Sequence, residues 1–519
     1  MKTSDYRRDY AAYMAALERA RYDYDTGVAP QLRLAPIRER YADLWTRPAI
    51  DELTRAREET SPHFETERAA LTALLRAAQI GYAEAHAAEV TDELARCRAS
   101  ARFEWDGAPF APDDAPAALA VETDAARRRE LSARWFGALD ACNDLRAARF
   151  DALREAARAS GFNSYSAFLS GTADEPGLES FSAAADNFLA RTASVYNTKL
   201  FEWTARHLPP GFARAPVYAD SLFLMRLSYL DPFFPARQLR TTYDATMRDF
   251  GIRTGQQHNL LIETTAPELE SVRAAACYAL NPPQDVRLVY RGEGGASLYR
   301  MFFMAAAGAQ TFAWVSRDLA ARYPELVHSP DETTRAGFQL LFGDLFSDAT
   351  WLAAHRNVRS TEASEIARSF ALVELEHTRR ACARLRQQLI LDQATDPRDA
   401  QLAEGYATAL EEATRFRTSP SLYLRDLIPD NARDTRDASE HLSPAVYLRA
   451  RLFAGALGEY FRTRYGYAWW AAHKAADELI DLWNTGSRYT VEELAALAGL
   501  GELNFELLAD SAEAALRRE

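Results

Sequence analysis

The sequence is poor in the residues that carry most metal and thiol chemistry. It has nine histidines in 519 residues, and the two closest, His355 and His377, are 22 positions apart. A helix of the His-Glu-x-x-His type needs two histidines four positions apart, so no local two-histidine motif exists here. The cysteines show no C-x-x-C spacing, which is typical of separate, reduced thiols in a cytoplasmic protein. They are Cys97, Cys142, Cys277 and Cys382.

The sequence also lacks an excess of positive charge and any long apolar run. Lysine supplies three of the 61 basic residues, and the 74 acidic residues leave a net charge of −13. This balance does not suit nucleic-acid phosphates or anionic membranes. The most apolar window, residues 301–309, is far shorter than the ~20 residues of a membrane span. We therefore predict a cytoplasmic protein with neither nucleic acid nor membrane as a partner, and the arginine bias, typical of GC-rich coding, predicts a bacterial source.

Helix breakers are few, with 23 glycines and 22 prolines in the whole chain. From residue 5 to about 265, apolar residues recur at three- and four-residue spacing, which predicts long packed helices. The pattern changes at about 271–291, where two short runs, the second β-branched and aromatic, flank a Pro-Pro turn and predict one small β-hairpin. A helix is predicted from near Ser297, and the chain then reads as helical to its end, with a capping box at Thr490 and Glu493.

The domain organisation predicted from these patterns is simple. No internal repeat and no low-complexity linker divides the chain, so we predict a single unit over residues 1–519. Within it, residues 1–265 form an N-terminal helical part, and residues 266–519 form a hairpin followed by a second helical part. The fold class is mainly α.

Several short motifs follow one another in an order found in a known family. Gly161-Phe162-Asn163-Ser164-Tyr165 is followed by Asp231-Pro232, by the hairpin with Arg273 to Cys277, and by Gly294-Gly295. Near the C-terminus come Tyr447 to Arg451, Trp469-Trp470 and Leu482-Trp483. Together they resemble the zinc oligopeptidases of the thimet oligopeptidase and oligoendopeptidase F type, and more distantly angiotensin-converting enzyme, over roughly residues 130–510. The resemblance implies a two-lobed helical shell around a central channel.

The resemblance also places the family's active-site helix after Gly294-Gly295, and the zinc-binding residues are missing from it. Met304 stands at the first zinc histidine, Ala305 at the general-base glutamate and Gly308 at the second histidine. The glutamate that would be the third ligand corresponds to Ala336 or Leu340. The position is Ala336 in an alignment with the oligoendopeptidases and Leu340 in an alignment with angiotensin-converting enzyme. Thioether, alanine, glycine and leucine side chains are not zinc ligands, so we expect no metal and no cofactor at these positions.

Five other residues are the candidates for a retained ligand pocket that the resemblance suggests. They are Tyr299, Gln310, Tyr447, Arg449 and Arg451. In the family the hairpin edge pairs with an extended peptide and the Tyr/Arg helix closes over it, and Arg449 would hold a ligand carboxylate. The alternative for each is that it lies in an interior helix seam and pairs with an acid such as Asp344 or Glu374.

Other histidines and thiols have simpler explanations. Glu374 and His377 have the i, i+3 spacing of carboxylate-bridged metal sites, but the second Glu-x-x-His that such a site needs is absent. His328 and His355 are interpreted as solvated helix ends. Cys277, on a mostly apolar strand, is interpreted as an inert core residue rather than a nucleophile.

Three hypotheses about function remain. We favour a degenerate member of the zinc oligopeptidase family that binds a peptide or a small-molecule ligand without hydrolysing it through zinc. An alternative is an enzyme recruited to metal-free chemistry, such as rearrangement or cyclisation of a natural-product-like substrate. The third is an active metallopeptidase with non-standard ligands. Neither the ligand nor the oligomeric state follows from the sequence.

Overall fold

The structure of the chain is a computed structural model that describes residues 2–171, 175–265, 274–428 and 442–517. In these residues the chain forms 24 α-helices and five short β-strands. The first twelve helices are α1 (Thr3–Asp25), α2 (Ala35–Arg40), α3 (Arg47–Glu59), α4 (Glu65–His86), α5 (Ala88–Ser100), α6 (Ala115–Val121), α7 (Ala125–Asp140), α8 (Asn143–Ala159), α9 (Tyr165–Ser170), α10 (Glu175–His207), α11 (Pro210–Ala213) and α12 (Tyr218–Met225). The other twelve are α13 (Leu239–Phe250), α14 (Ala296–Trp314), α15 (Arg317–Arg322), α16 (Thr333–Gly343), α17 (Ala349–Arg356), α18 (Ser360–Gln393), α19 (Ala400–Thr414), α20 (Tyr423–Leu427), α21 (Pro444–Tyr465), α22 (His473–Asn484), α23 (Val491–Leu497) and α24 (Phe505–Arg517). The predicted mainly α fold is confirmed.

Side-chain caps begin several of these helices where the sequence has Ser, Thr or Asp. The Asp124 carboxylate accepts hydrogen bonds from two backbone amides at the start of α7, and the Ser164 hydroxyl accepts one at the start of α9. At α23 the predicted capping box is confirmed, because Thr490 and Glu493 satisfy each other's backbone amides at 3.2 and 2.9 Å. Such caps supply partners for amides that a helix leaves unbonded in its first turn.

The strands form two small sheets. β1 (Phe103–Trp105) pairs antiparallel with β2 (Ala108–Phe110), and the second sheet has the order β3 (Leu260–Thr264), β5 (Asp285–Tyr290), β4 (Ala275–Asn281). The antiparallel pairing of β4 with β5 confirms the predicted hairpin, although residues 271–273 at its predicted start lie outside the described residues. The prediction of a single hairpin is wrong in number, because β1–β2 is a second one and β3 joins β5 in parallel register.

The chain divides into two compact units, each assembled from three segments. Unit 1 comprises Met1–Tyr82, Leu230–Ala367 and Arg449–Asn504, and unit 2 comprises Ala83–Tyr229, Arg368–Leu448 and Phe505–Glu519. Both of the parts predicted from the sequence, residues 1–265 and 266–519, therefore contribute to both units. Whether the chain behaves as one unit stays a prediction.

Unit 1 is built around α14. This helix packs against α16, α22 and the strands β4 and β5, and most of its 19 residues are buried. The N-terminal helix α1 packs on β4. The Glu18 carboxylate on α1 accepts a hydrogen bond of 3.1 Å from the Ala279 amide at the outer edge of β4. The hairpin is thus covered on both sides, which fixes the position of α14.

Unit 2 is held by buried ion pairs and by one disulfide. Arg128 and Asp220, both almost fully buried, pair at 3.0 Å. A disulfide joins Cys97 to Cys142, across 45 positions of sequence. The expectation that all four cysteines are reduced and separate is therefore wrong for this pair, because the fold brings α5 beside the start of α8. The cytoplasmic location that depended on it stays a prediction.

Among the described residues, no helix is both long enough and apolar enough to span a membrane.

Candidate functional site

The helix at which the resemblance places a metal site, α14, is largely buried in unit 1. α14 begins at Ala296, one residue from the predicted start, and the Asp231 carboxylate accepts a hydrogen bond of 2.9 Å from the Ala296 amide. Because side chains four positions apart lie on one helical face, Met304 and Gly308 point in the same direction. That direction is toward α16.

The seam between α14 and α16 is closed by small and flexible residues. A Cβ atom at Gly308 would lie 2.6 Å from Nε2 of Gln339, and one at Gly343 would lie 3.3 Å from Sδ of Met304. The two contacts are four residues apart on each helix and run in opposite directions, as in an antiparallel pair. The Gln339 amide therefore fills the space beside Gly308, and the Met304 thioether fills the space beside Gly343.

The remaining predicted zinc positions are also without donors. Ala336 and Leu340 on α16 are 2% and 1% exposed, and Ala305 is half-buried on α14. Zinc needs imidazole, thiolate or carboxylate ligands in tetrahedral arrangement, and these side chains supply none. Within the described ranges of the chain, no group of three or more His, Cys, Asp or Glu residues is arranged to hold a metal ion. The residues present at the seam do not fit zinc.

Tyr299 and Gln310 are fully buried on α14 and have partners inside unit 1. The Tyr299 hydroxyl donates to the Pro235 carbonyl at 2.6 Å, the Arg356 guanidinium lies 4.9 Å from its ring centre, and burial raises the pKa of Tyr299 to about 12. The Gln310 amide accepts from Gln257 and Trp314 at 2.7 and 2.9 Å and donates to Tyr243 at 3.0 Å. Both side chains fix neighbouring segments.

Arg449 and Arg451 on α21 form ion pairs within the same unit. Arg449 meets the two Glu492 oxygens at 2.8 and 2.6 Å, and Arg451 meets the Asp344 carboxylate at 2.7 Å. The Asp344 pair is the one that the alternative interpretation predicts. Tyr447, one turn earlier on α21, is 3% exposed and lies in unit 2. A ligand role for the five residues stays a prediction.

The interpretation of His328 and His355 as solvated helix ends is wrong. Burial lowers the pKa of His328 to about 4, so the ring is neutral near pH 7. The His355 side chain is 5% exposed, and its ring contacts the rings of Trp351 and Trp470. Burial also lowers the pKa of His355. Short sequence context suggested surface positions. Trp351 lies one turn before His355 on α17, whereas Trp470 comes from a distant segment.

The interpretation of Cys277 as an inert residue agrees with its surroundings in unit 1. Burial raises the pKa of the Cys277 thiol well above its ordinary value, so the reactive thiolate is scarce at neutral pH. The Glu374 and His377 side chains approach to 3.7 Å on α18, and no second pair of this type accompanies them in a metal-binding arrangement among the described residues.

A small cleft lies along the same face of α14, one to two turns beyond Gly308. It has a volume of about 430 Å³, counting its solvent-open mouth. Its walls come from the last turn of α14, the 327–331 loop, the first half of α16, and the end of α22 with the residues that follow it. The residues that line it include Phe312, Asp331, Arg335, Phe338 and Trp483. None of these residues was expected to contact a ligand, because they lie in three separate stretches of sequence, 311–315, 327–338 and 483–487, that only folding brings together.

Comparison with solved structures finds a similar architecture in two carboxypeptidases. The chain matches the Pyrococcus furiosus carboxypeptidase, in its apo-Mg form, with a TM-score of 0.59 and 13% identity over 99% of this chain and 97% of that one. It matches the M32 carboxypeptidase from Deinococcus radiodurans R1 with a TM-score of 0.59 and 14% identity over 99% and 98%. No protein-family model and no curated protein matches the sequence.

These likenesses define the class of fold. Nearly the full length of this chain is matched in each case, although the sequence identity is low. The prediction of a mainly helical, peptidase-like fold is confirmed. The assignment to the thimet oligopeptidase and oligoendopeptidase F type stays a prediction, because fold alone does not decide the family or its activity.

Proposed function

We propose that the chain is a peptidase-like protein that does not hydrolyse peptides through zinc and that binds a peptide or a small-molecule ligand instead. The observation that carries this proposal is the filled α14–α16 seam. Met304 and Gln339 occupy the space that metal ligands would need, and Ala305, Ala336 and Leu340 offer no nitrogen or oxygen donor.

The number of missing groups matters for the chemistry. A zinc peptidase uses the metal to polarise the scissile carbonyl and to acidify a water molecule, and a carboxylate to accept the proton. A single lost ligand is often replaced by a neighbour. Here the alignment with the family replaces all three zinc ligands and the general base by side chains that cannot do their work. No residue of the zinc mechanism is therefore present at these positions.

The contacts also favour binding over the alternative of metal-free catalysis. The interior of the seam is packed with side chains. On β4, burial raises the pKa of the Cys277 thiol, which favours its protonated form. Tyr299, Gln310 and Arg451 are engaged with Pro235, Gln257 and Asp344. A reactive group with a free path to substrate would support recruitment to new chemistry, and these residues do not supply one.

The proposal is tested by metal content and peptide hydrolysis. The full chain is incubated with zinc, dialysed, and analysed by inductively coupled plasma mass spectrometry beside a mixed fluorogenic peptide panel. We expect far less than one zinc per chain and no cleavage that responds to a chelator. Stoichiometric zinc, removed by chelator together with peptide cleavage, would overturn the proposal.

Restoring the motif tests the register. The variant Met304→His, Ala305→Glu, Gly308→His is combined with Gln339→Ala, because a side chain at 308 would collide with Gln339. We expect no zinc-dependent cleavage until Glu is also introduced at Ala336 or Leu340, since a third ligand is needed. Circular dichroism of each variant confirms folding. Zinc-dependent cleavage without the added acid would show that the third ligand lies elsewhere.

A further inference from the structure

The first four helices of unit 1 share a hydrophobic core of their own. Buried apolar side chains of α1, α3, α4 and the 42–45 turn pack on one another, and all of them lie between residues 6 and 78. Among the described residues, none from the hairpin or from α14 belongs to this cluster. We call residues 3–82 the N-terminal cap. A segment with its own core can open from its neighbours without losing its internal packing.

The N-terminal cap is joined to the rest of unit 1 by hydrogen bonds along α1. The bonded pairs are Arg7 with Glu325, Tyr10 with the His328 carbonyl, Tyr22 with Glu263, and Asp25 with Tyr278, at 2.6, 2.6, 2.8 and 2.5 Å. Tyr22 also packs on the apolar residues of the hairpin. Because most of these contacts are polar, the strength of the join depends on the charge of the groups that form it.

Glu325 is a buried carboxyl on the side of the join that faces the cap. Its side chain is 0% exposed, Arg7 donates to its Oε1, and its Oε2 has no hydrogen-bond partner among the described residues. The charged groups that face it are Arg7 on α1 and Glu67 on α4. Burial raises the pKa of Glu325 to about 7 in spite of Arg7. Because α1 packs directly on this turn, lifting the cap would expose the carboxyl to water.

Glu18 is a second buried carboxyl at the join, on α1 itself. It accepts from the Ala279 amide on β4 at 3.1 Å and lies 3.4 Å from Arg21. The other titratable or charged groups that face it are Arg335 on α16 and Cys277 on β4. Burial raises the pKa of Glu18 and outweighs the opposite effects of Arg21 and Arg335. Both carboxyls therefore hold a proton more readily with the cap in place.

The Glu18 contact covers the outer edge of a strand. In an antiparallel ladder, successive residues face the partner strand and the outside in turn. The Arg291 amide donates to the Ala274 carbonyl at 2.9 Å, so Tyr278 faces β5 and Ala279 faces away from it. Glu18 thus supplies the acceptor that an open strand edge lacks. The Ala279 amide is therefore a reporter of whether the cap is in place.

We propose that the N-terminal cap is a pH-sensitive cover of the hairpin, which holds most tightly at acid pH and opens more often as Glu18 and Glu325 ionise. With the cap lifted, each carboxyl faces water and loses its proton near its ordinary pKa of 4.5. The closed form therefore binds more protons, so this stabilisation is fully present below pH 4.5 and, for Glu325, is lost as the pH rises through about 7. For Glu325 alone, the closing equilibrium should weaken by about 70-fold between pH 5 and 8.

Hydrogen exchange of the full chain at pH 5, 6.5 and 8 tests the opening. Mass spectrometry with electron-transfer fragmentation resolves single amides of β4, and an unfolded reference peptide corrects for the pH dependence of chemical exchange. We expect the protection factor of the Ala279 amide to fall about tenfold or more from pH 5 to 8. The Tyr278 amide, which faces β5, should keep its protection. Equal protection of Ala279 at all three pH values, or loss of protection at both amides together, would overturn the proposal.

Glutamine at the two carboxyls removes the titration without removing an acceptor. In the Glu18→Gln, Glu325→Gln variant we expect the protection of Ala279 to be independent of pH, and Glu325→Gln alone should keep only part of the change. Glu58→Gln, at an exposed position on α3 of the cap, is the matched control and should respond to pH as the unchanged chain does. Circular dichroism confirms that each variant folds.

A pH response that persists in the double variant would show that other groups drive the opening, and the proposal would then be wrong. The cap contains none of the predicted zinc positions. The pH response of the cap is therefore independent of the proposed function, and stoichiometric zinc with peptide cleavage would leave it standing.

Discussion

Glu325 shows how one buried carboxyl can govern the response of unit 1 to pH. It lies in the turn between α15 and α16 and is 0% exposed. Arg7 on α1 donates to Oε1 of Glu325 at 2.6 Å, while Oε2 is buried without a partner. Burial raises the pKa of Glu325 to about 7 and outweighs the opposite effect of Arg7. The desolvation of the charged form is therefore stronger than its single ion pair.

The variant Glu325→Gln should become more stable than the unchanged chain as the pH rises from 5 to 8. In the unfolded chain Glu325 loses its proton near its ordinary pKa of 4.5, whereas the folded chain keeps that proton up to about pH 7. The contribution of this group to stability is thus fully present below pH 4.5 and is lost as the pH rises through 7, by about 3 kcal/mol in total. Glutamine carries no such proton.

Thermal unfolding of both chains at pH 5, 6.5 and 8 measures this difference. Glu67, which also pairs with Arg7 at 3.0 Å, remains in the variant and keeps α1 attached. A difference in melting temperature that stays constant across the three pH values would show that Glu325 is ionised throughout.

At the same scale, the sequence revealed which residue types could matter, but of their contacts it suggested only the pairing with Asp344, as an alternative. Arg451 and Tyr299 were selected for a pocket, and each has its partner in a distant segment, Asp344 and Pro235. His355 gave no sign of its burial, since Trp470 lies far along the chain. A side chain's identity is local information, whereas its burial depends on every element that packs around it.

At the scale of the element, three helical glycines differ in how closely other parts of the chain approach their helices. A Cβ at Gly337 on α16 would lie 2.6 Å from Cδ1 of Phe453, which is fully buried on α21. A Cβ at Gly308 would meet the end of the Gln339 side chain at the same distance. A Cβ at Gly405, exposed on α19, would meet nothing within 4 Å.

Alanine substitution should therefore have three different effects on the free energy of unfolding. We expect Gly337→Ala to destabilise by about 1–3 kcal/mol, because the Phe453 ring cannot move aside in a packed core. Gly308→Ala should be milder, because Gln339 is flexible and half-buried. Gly405→Ala should stabilise by about 0.5–1 kcal/mol through helix propensity alone.

Denaturant unfolding of the three variants gives this order directly, with Gly405→Ala as the matched control. Equal effects at 337 and 405 would contradict the close approach of α16 and α21. A larger effect at 308 than at 337 would show that Gln339 is held more rigidly than its partial exposure indicates.

The elements themselves were predictable where the signal is local. The hairpin of β4 and β5 was found because its β-branched run and its turn are adjacent in sequence. β3 was missed because its partner β5 begins 25 residues after it starts, and a parallel neighbour leaves no local mark. The β1–β2 hairpin did have a signal, the Asp106-Gly107 pair between short apolar runs, with both residues at positive φ.

At the scale of the whole molecule, the disulfide of unit 2 should affect stability without affecting the α14–α16 seam. The Cys97–Cys142 bond closes a segment that contains β1, β2, α6 and α7. Crosslinks over loops of this length stabilise by about 2–4 kcal/mol, chiefly by restricting the unfolded chain. The Cys97→Ser, Cys142→Ser variant should lose about this much.

Calorimetric unfolding with and without dithiothreitol tests the disulfide. Reductant should lower the melting temperature of the unchanged chain to that of the double serine variant and should not change the variant itself. Unfolding of the unchanged chain that is insensitive to reductant would show that the two thiols are not joined.

The mainly helical fold was predictable at this scale, although the chain shares only 13% and 14% identity with the two carboxypeptidases. Helical periodicity and the order of short motifs survive such divergence, because both depend on spacing more than on identity. The division into two units was not predictable. No linker separates them, and each unit is assembled from three separate segments of the sequence.

The contact of Met304 with Gly343 has a consequence for how the protein would behave in a cell short of metal. A protein whose fold includes a bound ion gains stability with the free concentration of that ion, by thermodynamic linkage. The α14–α16 seam is completed by the chain's own side chains, so the folded fraction of unit 1 should not vary with zinc supply. The amount of folded protein in the cell would then depend only on its rates of synthesis and degradation, and it would be the same at high and at low zinc.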